Sequence, residues 1–156
     1  MSLESLEAQV QHFETLDNSA RIQALIGLAQ AVSDVEPSLN QNWDFSEVRQ
    51  DEECLDSLGV YLKKDQNTLH FAASVGEETT TLTRALTTVL VRHLSGETSE
   101  RILELSGSFV PRLVGESLLR QRRNTAYYPL RRIQEAVRHF KSFNENAPSI
   151  AVSRVL

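Results

Sequence analysis

The sequence predicts an α+β domain in which a small antiparallel β-sheet packs against several α-helices. Apolar residues recur at helical spacing in the first 30 residues and again after residue 77. Two short stretches between residues 58 and 74 alternate in hydrophobicity as strands do. The 156 residues are the length of one domain, and 40% of them are hydrophobic, which is sufficient for a packed core. We therefore expect a single domain over residues 1–143 and a flexible tail over residues 144–156.

The N-terminal half is predicted to form two helices and then a β-hairpin. Helical spacing covers residues 3–13 and resumes after the capping residues 17–19. The apolar stripe of the second helix consists of Ile22, Leu25, Ile26 and Ala29. Residues 33–53 have no periodicity and predict a long loop. Residues 58–63 and 68–74 are predicted strands, since the polar residues between them suit a tight turn.

The C-terminal half is predicted to be helical. A helix is expected over residues 77–94, with Glu77 and Glu78 at its positive end. Shorter helices follow at residues 99–105 and 109–114, and a long helical segment covers residues 118–143. Pro129 lies inside that segment and predicts either its first turn or a break.

Composition excludes several classes of protein. Cys54 is the only cysteine, so an internal disulfide and a multi-cysteine metal cage are both impossible within the chain. A lone thiol is typical of a reducing compartment, and we expect the cytoplasm. The chain has no signal-peptide pattern and no apolar run of membrane-spanning length, so we expect neither export nor a membrane partner.

Charge is unevenly distributed along the chain. Residues 1–109 contain 18 acidic and 7 basic residues, whereas residues 110–156 contain 3 acidic and 9 basic residues. A basic C-terminal segment is compatible with a solvated helix face, an acidic partner or a nucleic acid. The predicted strands carry no aromatic platform for bases, so nucleic acid is the least favoured of the three.

Common catalytic and cofactor motifs are missing. The six glycines form no phosphate-binding loop, and the four histidines are widely separated in sequence and do not form a metal-ligand pattern with Cys54. We therefore expect no metal site and no nucleotide bound through such a loop. His93, near the end of a predicted helix, is expected to make a favourable contact with the helix dipole when protonated.

Cys54 is the residue most readily connected to a reaction. Four acidic residues flank it, as in a solvent-facing loop where another protein could reach the thiol: Asp51, Glu52, Glu53 and Asp56. The alternative is a small buried hydrophobic side chain. Because the thiolate is the nucleophile and nearby carboxylates raise the pKa of a thiol, activation requires a cation. Arg122, Arg123 or a basic pocket in a partner could supply it.

Seven segments of the chain carry a family resemblance. They are residues 21–26 (RIQALI), 60–62 (VYL), 69–71 (LHF), 76–78 (GEE), 84–86 (RAL), 96–103 (GETSERIL) and 118–124 (LLRQRRN). In this order, over roughly residues 10–142, they resemble the SufE family, the sulfur-acceptor partners of cysteine desulfurases in iron–sulfur cluster assembly. Arg122 and Asn124 take the positions of the Arg and Asn in the family's last motif.

This resemblance implies a SufE/IscU-like fold and a sulfur-transfer accessory protein without independent turnover. The chain would dock to a PLP-dependent cysteine desulfurase, accept persulfide sulfur on Cys54 and pass it to an iron–sulfur scaffold. It would need no cofactor of its own, because PLP belongs to the desulfurase. Cys54 is the predicted catalytic residue. The predicted partner-binding residues are Asp51, Glu52, Glu53, Asp56, Glu77, Glu78, Arg122 and Asn124.

The chain departs from the family pattern around the cysteine. Val60 follows Cys54 by six residues, where the family has four, so an ungapped alignment of the strand places Asp56 at the acceptor position. Thr125 replaces the glycine of the last motif, and Leu119 with Arg120 replaces its Ser-Pro. These departures leave open a non-catalytic adaptor that binds a desulfurase or another protein. The basic C-terminal helix leaves open a third function, a small RNA- or DNA-binding module.

Overall fold

The computed structural model describes residues 2–50 and 56–146. Within these ranges the predicted α+β class is confirmed. The helices are α1 (Leu3–Glu14), α2 (Asn18–Gln30), α3 (Thr81–Leu94), α4 (Ser99–Glu104), α5 (Phe109–Val114), α6 (Glu116–Gln121) and α7 (Arg123–Asn146), with a short 3₁₀ helix at Ala31–Val35. The strands are β1 (Phe45–Gln50), β2 (Ser57–Asp65), β3 (Thr68–Val75) and β4 (Glu97–Thr98).

The strands form one antiparallel sheet in the order β1-β2-β3-β4. The predicted hairpin is β2–β3, in which Asp65 pairs with Thr68 and Gln66 has a positive φ of 57° in the tight turn. β1 lies within the stretch predicted to be a loop, so that prediction was wrong for residues 45–50. Its two apolar residues, Phe45 and Val48, fall on opposite faces, and the strand is therefore defined by pairing with β2 rather than by its own hydrophobic pattern.

Helices pack against one face of the sheet. Four strand residues predicted to share the inner face are buried: Val60, Leu62, Leu69 and Phe71. On the opposite face, Tyr61 is half-buried and His70 is exposed, as their alternation predicts. The central helix α3 contacts α2, α7 and β3, and most of its side chains are buried. No helix of the described residues is long and apolar enough to cross a membrane.

Two helix boundaries differ from the sequence prediction. α3 begins at Thr81 with Thr80 as its N-cap, so Glu77 and Glu78 lie in the preceding turn instead of the first helical turn. The segment predicted over residues 118–143 is two helices that separate at Arg122, which has φ −134° and ψ 39°. Apolar spacing continues on both sides of this break, and therefore gives no local signal of it.

Pro129 lies inside α7 and does not interrupt it. The helix continues to Asn146, three residues beyond the predicted domain boundary at residue 143. The remainder of the predicted tail, residues 147–156, lies outside the described residues.

Candidate functional site

The predicted acceptor Cys54 lies outside the described residues, together with the flanking acids Asp51, Glu52 and Glu53. The structure does describe the chain on both sides of this segment. β1 ends at Gln50 before it, and β2 follows it directly after Asp56. The described residues nearest to Cys54 in the chain are therefore Gln50 and Asp56.

Asp56 is buried and caps α3. Its side chain is 1% exposed, and one carboxylate oxygen accepts a hydrogen bond of 2.8 Å from the backbone N–H of Thr80. The other oxygen accepts from the hydroxyl of Thr80 at 2.9 Å and from the hydroxyl of Thr83. A carboxylate at this end of a helix satisfies an unpaired N–H and interacts favourably with the helix dipole.

The sequence predicts Asp56 to be one of the partner-facing acids, and the structure corrects this placement. Its two oxygens are engaged by Thr80 and Thr83, so in this structure Asp56 is a structural anchor. The start of β2 is fixed further by Thr79, whose hydroxyl donates to the backbone oxygen of Ser57 at 3.2 Å. The chain that follows Cys54 is thereby joined to the N-terminus of the central helix.

The turn between β3 and α3 carries Glu77 and Glu78, both exposed. Arg84 holds this turn in place from one helical turn further along the chain. Its guanidinium donates to the backbone oxygens of Thr79 at 3.0 Å, Gly76 at 2.9 Å and Glu77 at 3.2 Å. The two carboxylates therefore project from a rigid turn beside Thr79 and Thr80.

The chain that precedes the cysteine is anchored differently, through an ionic contact between β1 and α7. Arg132, with only 4% of its side chain exposed, contacts Glu47 at 3.1 Å and Glu135 at 2.9 Å. The Nδ1 atom of His139 lies 2.7 Å from the second oxygen of Glu47. Burial alone would raise the pKa of Glu47, but the hydrogen bonds from His139 and Arg132 outweigh it and lower that pKa below 4.5.

One further bond joins β1 to α7 close to the cysteine segment. The hydroxyl of Tyr128 donates to the backbone oxygen of Arg49 at 3.2 Å, one residue before β1 ends. Tyr128 is buried, and the guanidinium of Arg131 lies over its ring at 5.6 Å. Both ends of the cysteine segment are therefore attached to helices, one to α7 and the other to α3.

An apolar groove of about 500 Å³ lies beside the N-terminus of α3. We call it the α2–α6 groove, because its walls are formed by α2, the start of α3, and α6 with Arg122 at its end. Its lining residues are Ile22, Leu25, Ile26, Thr80, Thr81, Leu82, Leu118 and Arg122. Thr80 belongs both to this groove and to the anchor of Asp56, so the groove adjoins the chain that follows Cys54.

Arg122 and Asn124 occupy the region where α6 ends and α7 begins. Arg122 is exposed at the rim of the α2–α6 groove. Asn124 is exposed in the first turn of α7. The structure thus brings Arg122 close to the Asp56–Thr80 anchor, although more than 60 residues of chain separate Arg122 from Asp56.

The groove is not predicted from sequence, because Ile22 and Ile26 belong to the same apolar stripe of α2 as the buried Leu25 and Ala29. Leu25 and Ala29 are buried as expected, but Ile22 is 47% exposed and Ile26 is 37% exposed. A helix with apolar residues on a wide arc has more of them than one contact can bury. The wide apolar arc of α2 is the sequence feature that could have indicated an exposed apolar surface on this helix.

The described residues hold no cluster of three or more His, Cys, Asp or Glu side chains with the geometry of a metal site. The polar groups at the site are a buried carboxylate, threonine hydroxyls, exposed carboxylates and arginine. This set can orient a chain and attract charged partner groups.

Comparisons with solved structures show the fold. A hypothetical protein from Thermus thermophilus, determined in solution, matches with a TM-score of 0.65 and 22% identity over 91% of this chain and 99% of that one. The N-terminal part of a nitrogen-fixing NifU-like protein from Brucella abortus matches with a TM-score of 0.55 and 16% identity over 74% of this chain and 92% of that one.

Comparison with curated proteins found no match. The family model described as the Fe-S metabolism associated domain, SufE, matches residues 7–137. This range includes most of both halves of the fold and all seven segments that resemble the family. The chain therefore belongs to the SufE family of Fe–S metabolism associated domains.

Proposed function

We propose that this chain accepts sulfur from a PLP-dependent cysteine desulfurase on Cys54 and delivers it to iron–sulfur cluster assembly. The observation that carries the proposal is the SufE domain match over residues 7–137, which includes the chain's single cysteine. That cysteine belongs to the segment between β1 and β2, whose two ends are both attached to helices. Membership in the family associates the chain with Fe–S metabolism, and the acceptor role extends this association to a reaction.

The transfer is a thiol–disulfide-type exchange. The Cys54 thiolate attacks the outer sulfur of the persulfide on the desulfurase, a new S–S bond forms on Cys54, and the S–S bond of the desulfurase breaks. The desulfurase cysteine leaves as a thiolate. The sulfane sulfur changes carrier without net oxidation or reduction, so the step needs no cofactor in this chain. A second exchange of the same kind releases the sulfur to an iron–sulfur scaffold.

The acceptor must be available as a thiolate. An ordinary cysteine has a pKa of about 8.5, so only a few per cent of it is ionised at pH 7. Three acids adjoin Cys54 along the sequence, Asp51, Glu52 and Glu53, and their charges oppose ionisation. We infer that a basic surface of the desulfurase neutralises them on docking. Reactivity would then be confined to the complex, in a reducing compartment such as the cytoplasm.

The test combines persulfide detection with a binding measurement. After incubation with a desulfurase and free cysteine, intact mass spectrometry is expected to show a gain of one sulfur atom on the wild-type chain. Cys54→Ser is expected to abolish this gain, and it should bind the desulfurase with nearly unchanged affinity. Treatment with a thiol reductant should remove the added mass, as it does for a persulfide.

The rival function as a non-catalytic adaptor gives the opposite result. A wild-type chain that binds the desulfurase but never gains sulfur would reject the acceptor role and favour the adaptor. A sulfur gain that persists in Cys54→Ser would also contradict the proposal, because no other cysteine is present to carry it.

A further inference from the structure

The α2–α6 groove contains the exposed large apolar residues of α2, Ile22 and Ile26. Ile22 and Ile26 lie one helical turn apart, are 47% and 37% exposed, and both line the groove. Beneath them, Leu25 and Leu82 close the groove floor and are buried. The other large exposed apolar residues of the described chain lie on separate elements, at Leu39, Val48 and Phe143. The groove is therefore the place where the described chain combines exposed aliphatic side chains with a concave surface.

The charged side chain that lines the groove, Arg122, is positive. Arg122 lines the groove, and none of the described acidic side chains forms an ion pair with it. Thr81 and Leu82 are the first two residues of α3, where backbone N–H groups have no earlier carbonyl of the helix to bond. Asp56 already occupies the cap at Thr80, so Arg122 is the charge left for an incoming group. An occupant with a carboxylate next to its apolar side chains complements this rim.

The position of the groove connects it to the proposed acceptor. Thr80 lines the groove and also donates two hydrogen bonds to Asp56, which is two residues after Cys54. A protein that binds the chain next to Asp56 therefore contacts the molecule beside the groove. This continuity favours the sulfur donor itself over an unrelated ligand as the occupant.

We propose that the α2–α6 groove docks a peptide segment of the cysteine desulfurase that presents one or two large apolar side chains next to an Asp or Glu. The apolar side chains pack on Ile22 and Ile26, and the carboxylate pairs with Arg122. This inference rests on the proposed function, since it names the surface that the donor uses. It adds an apolar contact to a docking surface for which the sequence predicted only charged and polar residues.

The test uses full-length variants and measures equilibrium binding to a desulfurase. The double substitution Ile22→Gln with Ile26→Gln retains good helix formers on α2. It is expected to weaken binding by about tenfold or more, the change that corresponds to losing roughly one buried aliphatic side chain. Leu39→Gln with Val48→Gln is the matched control, because it removes the same number of exposed apolar residues elsewhere, and it should change the affinity by less than about twofold.

The charged part of the contact has its own control. Arg122→Glu is expected to weaken binding by about tenfold at low ionic strength, whereas Arg138→Glu, an exposed arginine of α7, makes the same change in net charge and should have little effect. Circular dichroism and thermal unfolding confirm that each variant is folded. Wild-type affinity in both groove variants would overturn the inference.

Three further outcomes separate this inference from the proposed function and from an alternative occupant. If Cys54 gains sulfur in the groove variants with wild-type affinity and rate, the inference fails and the acceptor role stands. If light scattering shows that the wild-type chain dimerises and that only the isoleucine variant is monomeric, with desulfurase binding unchanged, the occupant is a second copy and the inference is overturned. If the wild type binds the desulfurase through the groove but never gains sulfur, the docking surface stands and the acceptor role fails.

Discussion

The carboxylate of Asp56 accepts a hydrogen bond of 2.8 Å from the backbone N–H of Thr80, a residue 24 positions away in the chain. Thr80 is the N-cap of α3, so the side chain of the residue just before β2 supplies the negative charge at the N-terminus of the central helix. One interaction thus ties the chain after the cysteine to the most buried helix. The strength of this hydrogen bond affects the stability of the fold. It also affects the position of Asp56, the described residue that follows the cysteine segment.

Loss of the Asp56 carboxylate is expected to destabilise the fold. Asp56→Ala leaves the N–H of Thr80 and two hydroxyls without their acceptor in a buried place, and should lower the free energy of unfolding by about 2 kcal/mol. Asp56→Asn retains one acceptor oxygen and should lose less. Urea unfolding followed by circular dichroism measures both. Glu104→Ala, at an exposed position of α4, is the control, with an expected change within about 0.5 kcal/mol. Equal stability of Asp56→Ala and this control would contradict the cap.

Glu47 is expected to stabilise the contact between β1 and α7. Glu47→Ala leaves the buried guanidinium of Arg132 with Glu135 as its remaining acid partner, and should lower the free energy of unfolding by about 2 kcal/mol. Because the pKa of Glu47 is lowered in the fold, its contribution is complete above the unfolded pKa of about 4.5 and is lost as pH falls through the lower folded pKa.

Unfolding of the wild type and Glu47→Gln at several pH values measures this effect. The difference in stability between the two should shrink as pH falls below about 4.5, the ordinary pKa of a glutamate. A difference that does not shrink below that pH would show that the charged carboxylate of Glu47 does not stabilise the fold.

His93 is expected to oppose folding when it is protonated, contrary to the dipole contact predicted from sequence. This residue of α3 is buried against α1. Its Nδ1 atom lies 2.7 Å from the hydroxyl of Ser5, and its Nε2 atom lies 2.6 Å from the side-chain oxygen of Gln9. Burial lowers its pKa below the usual 6.5. The unfolded chain therefore binds a proton first as pH falls, and the stability that neutral His93 contributes decreases below about pH 6.5.

Chemical unfolding between pH 7.5 and pH 5.5 checks this sign. The wild type should lose stability over this range, and His93→Gln should lose less, because glutamine cannot titrate. The exposed histidine His70 provides the control: His70→Gln should keep the pH dependence of the wild type. An identical slope in the wild type and His93→Gln would contradict the prediction.

Glu77 and Glu78 are expected to steer the desulfurase before contact. Both carboxylates project from the turn that Arg84 holds, beside Thr79 and Thr80. If the partner presents a basic surface, replacing both by lysine should slow association several-fold at low salt, chiefly through the on-rate. The effect should decrease at physiological ionic strength, where the Debye length is about 8 Å.

Stopped-flow binding measures these rates. Asp65→Lys with Glu104→Lys makes the same change in net charge away from the turn, and its on-rate should stay closer to that of the wild type. Equal slowing by the two double variants would indicate a general charge effect and would remove Glu77 and Glu78 from the docking surface.

Local patterns in the sequence were enough to determine the fold class, the β2–β3 hairpin and most helices. Val60, Leu62, Leu69 and Phe71 alternate with polar residues, and this alternation by itself identifies the inner face of the hairpin. The apolar spacing of α3 likewise identifies a helix that is buried along its length. Such features depend on residues a few positions apart, whose relative directions are dictated by the helical or strand period.

Tertiary structure alone decided the surroundings of the candidate site. β1 forms because it pairs with β2. Asp56 is buried because the N-terminus of α3, which begins 25 residues later in the chain, contacts it. Ile22 is exposed because α6 lines the other side of the groove and does not cover it. Each of these outcomes depends on a contact between residues distant in the chain. Short-range periodicity specifies which face of an element is apolar, but only packing of the whole chain determines which part of that face another element covers.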